Sequence, residues 1–173
     1  MQLKKFIKEI DALKPTFEEL QKFGLPISEQ DRWNIDVLDE EFNAYDGPIH
    51  QLVYCIDTLQ LFPWLEQLNK IDSDAPEPFS IWGINTFYNF CYAYNYLDGE
   101  IVLLDDLKSP DPNMYCAASN SRFLDLLYII AQYEKLRLFD SGRAELDKNE
   151  WIYKAAKAAG GEKYYEHSRI IIG

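Results

Sequence analysis

Residues 89–105, NFCYAYNYLDGEIVLLD, constrain the fold more than any other stretch of the chain. Tyr92, Tyr94 and Tyr96 alternate with Cys91, Ala93 and Asn95, which is the period of two of a pleated strand. Asp98-Gly99 follows, a dipeptide suited to the positive-φ positions of a type I′ turn. Residues 101–104 then run apolar and β-branched. A two-residue loop at Asp98-Gly99 predicts the pairs Leu97 with Glu100, Tyr96 with Ile101, Tyr94 with Leu103 and Ala93 with Leu104. That register collects Phe90, Tyr92, Tyr94, Tyr96, Ile101 and Leu103 on one face. Each ring can bury roughly 150–250 Å², and an isolated hairpin is marginal in water. The hairpin therefore belongs inside a larger sheet with protein packed on it.

Around it the spacing predicts helices. Leu3, Phe6, Ile7, Ile10 and Leu13 share one helical face, and Pro15 ends that helix. Thr16 with Glu19 spells a capping box for a short helix through Phe23, with Gly24 as its C′ residue. Ile35, Leu38 and Phe42 favour a helix. Residues 46–48, Asp-Gly-Pro, read as a turn. Residues 49–68 are apolar and fit either a helix or, at 51–56, a strand. Residues 72–78 form an exposed loop, and 79–87 a strand with Gly83 as a bulge or a close approach. Residues 105–113 are a loop and 114–118 a short strand or the approach to a helix. Residues 119–121 offer N-caps for a helix to about Leu136, carrying Phe123, Leu126, Leu127, Ile130 and Ala131 inward. A further helix is predicted over 145–159, stopped by Gly160-Gly161. The tail after it is expected to dock as a strand through Ile170, Ile171 and Ile172.

Composition bounds the function. At 173 residues, 47% of them hydrophobic, the chain suits one domain with a sizeable core. Its 29 acids against 17 bases give a formal charge of −12. Such a surface repels nucleic acid and anionic membranes and attracts basic partners. The odd cysteine count (Cys55, Cys91, Cys116) and the absence of CxxC spacing fit a reducing, cytoplasmic setting. The first residues read as an amphipathic helix rather than a signal peptide, and no run approaches the ~20 apolar residues of a membrane span.

The sequence lacks HExxH, zinc-type Cys/His spacing, GxSxG, a GxxxxGK[ST] phosphate loop and GxGxxG. His50 follows a Gly-Pro turn and reads as a surface residue, while His167 falls in a polar tail. Asp105 and Asp106 follow a strand, so their side chains point to opposite faces. Asp36, Asp39, Glu40 and Glu41 lack the ligand spacing and glycine of an EF-hand loop and read as a solvated face. No cofactor and no metal are expected.

The stretch PFSIWGINTFYNFCYAYNYLDGEIVLLDD, then a short acidic loop, then MYCAASNSRFLDLLYIIAQ, resembles the SUKH superfamily, which includes many bacterial immunity proteins. The likeness lies in a leading strand, a strand ending in a turn such as Asp98-Gly99, an Ile-Val-rich return strand, a small-residue segment at Ala117-Ala118-Ser119 and an apolar helix after it. The resemblance implies an α+β fold: a twisted, mostly antiparallel sheet with helices packed on one face and at the ends. Length and spacing suit a single domain over 1–173, with the SUKH-like core at about 79–138, a helical part over 1–70 and a C-terminal helix and tail over 145–173. The resemblance implies a cytoplasmic protein without catalysis that binds and neutralises a cognate basic toxin of nuclease or deaminase type, as a monomer or weak dimer, without nucleic acid or membrane. The charge gives that expectation physical support, because an acidic inhibitor can occupy a basic site with a steered on-rate. The candidate surfaces are Asp72, Asp74 and Glu77; Asp105, Asp106 and Asp111; and Asp36, Asp39, Glu40 and Glu41, with Trp or Tyr anchors beside them. Two alternatives remain open on the residues: a small hydrolase using carboxylates such as Asp105 and Asp106, and a regulatory or scaffolding domain that binds a host protein.

Overall fold

The computed structural model describes residues 1–34, 60–67, 75–105 and 111–173. The expected helix at 35–42, the turn at 46–48, and His50 and Cys55 lie outside the described residues. The fold is α+β, as the sequence predicts: the described residues form a five-stranded antiparallel sheet in the order β1-β2-β3-β4-β5, with six helices. The strands are β1 (Leu65–Gln67), β2 (Phe79–Asn85), β3 (Phe90–Asn95), β4 (Ile101–Leu104) and β5 (Met114–Ala117). Each pairs with its neighbour in the described sequence, so the sheet is a meander.

The central hairpin forms, in a different register. Tyr94 pairs with Ile101, Tyr92 with Leu103 and Cys91 with Leu104. The loop is therefore four residues, 96–99, rather than the two of Asp98-Gly99. Local polar chemistry decides this. The Leu97 N–H donates to Asn95 Oδ1 at 3.0 Å, the Glu100 N–H to Asp98 Oδ1 at 2.9 Å and the Gly99 N–H to the Asn95 carbonyl at 2.8 Å. Asn95 and Asp98 thus satisfy the backbone of a wider turn. A slip of two residues leaves each side chain on its own face, so Tyr92, Ile101 and Leu103 are fully buried in the main core. Tyr96 instead leaves the strand and is exposed.

Gly83 is both a bulge and a close approach. Ile81 pairs with Ala93 and Gly83 with Tyr92, so Trp82 is the extra residue. A Cβ on Gly83 would stand 3.1 Å from the Glu66 carbonyl of β1. The bulge turns Trp82 into the core, where it stacks on Tyr92 at 5.2 Å between ring centroids. The opposite face holds a smaller cluster of Phe79, Ile81, Ala93, Val102 and Leu104.

The helices cover the Tyr92 face. α1 (Leu3–Leu13) buries Leu3, Phe6 and Ile10. α2 (Phe17–Lys22) has the predicted capping box at Thr16 and Glu19, and Gly24 follows with φ +67°. A 3-10 turn spans Ile27–Trp33. α3 (Asn120–Phe139) is capped by Ser119, whose Oγ accepts from the Arg122 N–H. It buries Phe123, Leu124, Leu126, Leu127, Ile130, Ala131 and Tyr133.

Three expectations need correction. The helix predicted over 145–159 is two helices, α4 (Ser141–Leu146) and α5 (Lys148–Ala159), broken at Asp147. The Asp140 side chain caps α4 by accepting from the Arg143 N–H at 3.0 Å, so Ser141-Gly142 opens a helix. The apolar stretch around 60–68 contributes β1. Finally, the tail is helix α6 (Tyr165–Ile172), not a strand. It buries His167, Ser168, Ile171 and Ile172 at helical spacing, which places a residue triplet of isoleucines partly inward and not in alternation.

Candidate functional site

The most constrained polar group lies under the Tyr92 face. Asn85 ends β2, Tyr92 is central in β3 and His167 sits in α6; all three are fully buried. The Phe87 N–H donates to Asn85 Oδ1 at 3.0 Å, which fixes the amide. Asn85 Nδ2 then donates to the Tyr92 hydroxyl at 3.0 Å. The hydroxyl proton is left for His167 Nε2, 2.8 Å away, so the imidazole accepts there and carries its own hydrogen on Nδ1. Nδ1 meets no hydrogen-bond partner among the described residues. Trp64, Tyr92 and Phe123 enclose the ring at centroid distances of 6.0, 5.8 and 6.5 Å. Burial pushes the imidazole down to about 3 and the Tyr92 phenol well up. A buried, neutral ring in this position ties α6 to β3 through the Tyr92 hydroxyl.

A second cluster ties the same C-terminal region to the hairpin. Lys163 Nζ lies 2.6 and 2.8 Å from the two Glu100 oxygens and 3.8 Å above the Tyr115 ring. The Tyr164 hydroxyl donates to Glu100 at 2.7 Å. Burial first, and then the bond to Glu100, raise the Tyr164 phenol. Elsewhere Glu134 lies between Arg137 at 3.2 Å and Arg32 at 3.7 Å in a cleft of about 220 Å³. Burial raises its carboxyl while both guanidinium groups oppose that rise. A more apolar cleft of about 250 Å³ lies between Tyr153 and Tyr165, with Lys157 and Glu162 on its rim.

The acidic residues distribute unevenly. Residues 1–34 hold six acids and six bases, and 111–173 hold nine of each. Residues 35–110 hold fourteen acids against Lys70 and Lys108, so the whole excess of twelve resides there. The helical parts pair many of their charges: Glu150 with Lys154 at 2.7 Å, Glu166 with Arg169 at 2.7 Å and Asp147 with Arg143 at 3.3 Å. In the described part of the acidic region, Glu100 is paired. Glu66, Glu77, Asp98 and Asp105 form no ion pair with a described residue.

Of the acids singled out in the sequence, Glu77, Asp105 and Asp111 are described, and all three are exposed. Asp36, Asp39, Glu40, Glu41, Asp72, Asp74 and Asp106 lie outside the described residues. The topology does not bring the described three together. Glu77 precedes β2, at the end of the sheet where the Tyr96 N–H donates to the Pro78 carbonyl at 3.1 Å. Asp105 and Asp111 flank the opposite end, where the Asp105 N–H donates to Asn113 Oδ1 at 2.8 Å. The length of β4 alone separates the two ends by about 10 Å. Among the described residues no three His, Cys, Asp or Glu side chains gather as a metal site, and no helix is long and apolar enough to cross a membrane.

Sequence reasoning missed the role of His167, assigning it to a polar tail. A signal was present: Tyr164, His167, Ser168 and Ile171 fall at i, i+3, i+4 and i+7, one helical face. Comparison with protein-family models, with curated proteins and with solved structures finds no match.

Proposed function

We propose that this chain is a non-catalytic binding protein of immunity type, which neutralises a basic protein toxin of nuclease or deaminase class through its acidic region. The observation that carries the reading is the segregation of charge. Residues 1–34 and 111–173 are balanced, and residues 35–110 between them hold the entire excess of twelve acids. Charge held for solubility alone has no reason to concentrate, whereas a charged face steers a basic partner and suppresses acidic ones. Membership of the SUKH superfamily is part of this proposal. Its support is the element order: strand β2, the hairpin, the Ile-Val return strand β4, the small residues after β5 and the apolar helix α3. A cytoplasmic setting belongs to the same reading.

The test is inhibition of a panel of purified nuclease and deaminase toxin domains of positive net charge. The expected result is stoichiometric inhibition of one of them, with an affinity that falls steadily as salt rises. An inhibitor whose affinity ignored salt would remove the charge mechanism. A panel untouched by the protein would remove the reading itself.

A further inference from the structure

The β3–β4 loop displays two apolar side chains that the fold does not use. Leu97 is 77% and Tyr96 53% exposed. The loop is nevertheless held rigidly. Asn95 Nδ2 donates to Asp98 Oδ2 at 3.1 Å, in addition to the bonds that Asn95 Oδ1 and Asp98 Oδ1 accept from the backbone. The Tyr96 N–H is fastened to Pro78 and the Asn95 N–H to the Glu100 carbonyl. The polar side chains of the loop thus bond to the loop itself, and its apolar ones face water. Around them stand the exposed carboxylates of Asp98 and Glu77. The nearby cation of this end, Lys163, is already held by both oxygens of Glu100.

We infer that this loop is the docking surface of the protein, with Leu97 and Tyr96 as apolar anchors, Asp98 and Glu77 as the charged rim, and a basic protein surface as the occupant. The inference rests on the binding reading above and adds its location. A rigid loop loses little entropy on docking, and an apolar anchor inside a charged rim is the usual anatomy of an interface centre. Two other exposed surfaces among the described residues fit a basic occupant less well. The Tyr153–Tyr165 cleft carries one cation and one anion on its rim. At the other end of the sheet, Phe87 and Tyr88 are less exposed than Leu97, and Tyr88 leans on Phe90 at 5.9 Å between ring centroids.

The experiment uses the full chain and the toxin domain that the wild-type protein inhibits. Leu97→Asp and Tyr96→Ser are compared with Leu146→Asp, a change at an 86% exposed leucine on α4, and with the double change Phe87→Ser, Tyr88→Ser. Leu97→Asp is expected to weaken binding about 30-fold or more, chiefly through faster dissociation. Glu77→Gln should slow association and flatten its salt dependence. In the complex, hydrogen exchange at the amides of 96–99 should slow. Leu146→Asp should bind as wild type, and unchanged far-ultraviolet circular dichroism with a cooperative urea transition establishes that each variant is folded. If Leu97→Asp binds within about twofold of wild type while the Phe87/Tyr88 variant loses affinity, the surface is misplaced and the binding reading stands. If the wild-type protein inhibits no domain of the panel, both are overturned.

Discussion

Replacing His167 should change how stability depends on pH as well as stability itself. In the fold the imidazole is neutral, accepts from Tyr92 and is held down to about 3 by burial. In the unfolded chain it titrates near 6.5. Above that value both states are neutral and the ring adds no pH dependence. As pH falls below 6.5 the unfolded chain takes up a proton and the folded one does not, so stability is lost down to about 3. The slope approaches about 1.4 kcal/mol per pH unit, and the loss by pH 5 is about 2 kcal/mol. His167→Gln retains a polar group of similar size and removes the titration. It should cost about 1–3 kcal/mol at pH 8, where the network loses its fit. The gap between variant and wild type should then shrink by about 2 kcal/mol at pH 5. Urea unfolding of both proteins at pH 8, 6.5 and 5 measures this, and subtraction cancels all other titrating groups, His50 included. A gap that stayed constant across the three values would show that His167 is not held neutral, and the assigned hydrogen-bond chain would be wrong.

Other perturbations follow from the same geometry. Glu100→Gln should bring the Tyr164 phenol down toward its ordinary range, seen by ultraviolet titration, and cost about 1 kcal/mol in urea. Thr16→Ala removes the hydroxyl half of the capping box and should cost about 1 kcal/mol, while the Glu19 carboxyl should stay low, because the group that chiefly holds it low is the backbone N–H of residue 16, which alanine keeps. Gly160→Ala should lower the thermal midpoint sharply: Gly160 has φ +135°, and a Cβ there would stand 2.6 Å from Tyr164 Cε2 and 2.8 Å from Ala118 Cβ. A wild-type midpoint in that variant would mean that the α5–α6 corner can move.

What the sequence made legible was whatever depended on local periodicity. The Tyr92 face was assigned correctly although the hairpin loop was two residues longer than predicted, because a slip of two conserves the face. Gly83, the Thr16 capping box and the Ser119 cap follow from residue types with one physical use at those positions. The α6 error has a different origin. Ile170-Ile171-Ile172 has strand propensity, but helical burial of His167 and Ile171 against the sheet outweighs it. A buried Asn-Tyr-His chain joins residues 85, 92 and 167, and no local pattern reports a contact across that separation. Of the acidic surfaces, the sequence supplied the residues, but only the strand order shows that Glu77 and Asp105 occupy opposite ends.

The placement of charge also makes a claim about salt. Fourteen acids against two bases give residues 35–110 a net charge of −12, and like charges so dense along a chain repel one another. Spreading the same charge over residues 1–34 and 111–173 would serve solubility with less repulsion along the chain, and under the proposed function a basic partner offsets that repulsion. Two salt responses of opposite sign follow. Screening should relieve the repulsion and raise the thermal midpoint of the protein alone as sodium chloride increases. The same screening should weaken the complex with a basic partner. Calorimetry of the free protein and titration of the complex over one salt series measure both. If salt left the free protein unchanged or destabilised it, the acids would be far enough apart not to repel. The charge would then be a solubility coat with no concentrated face to offer.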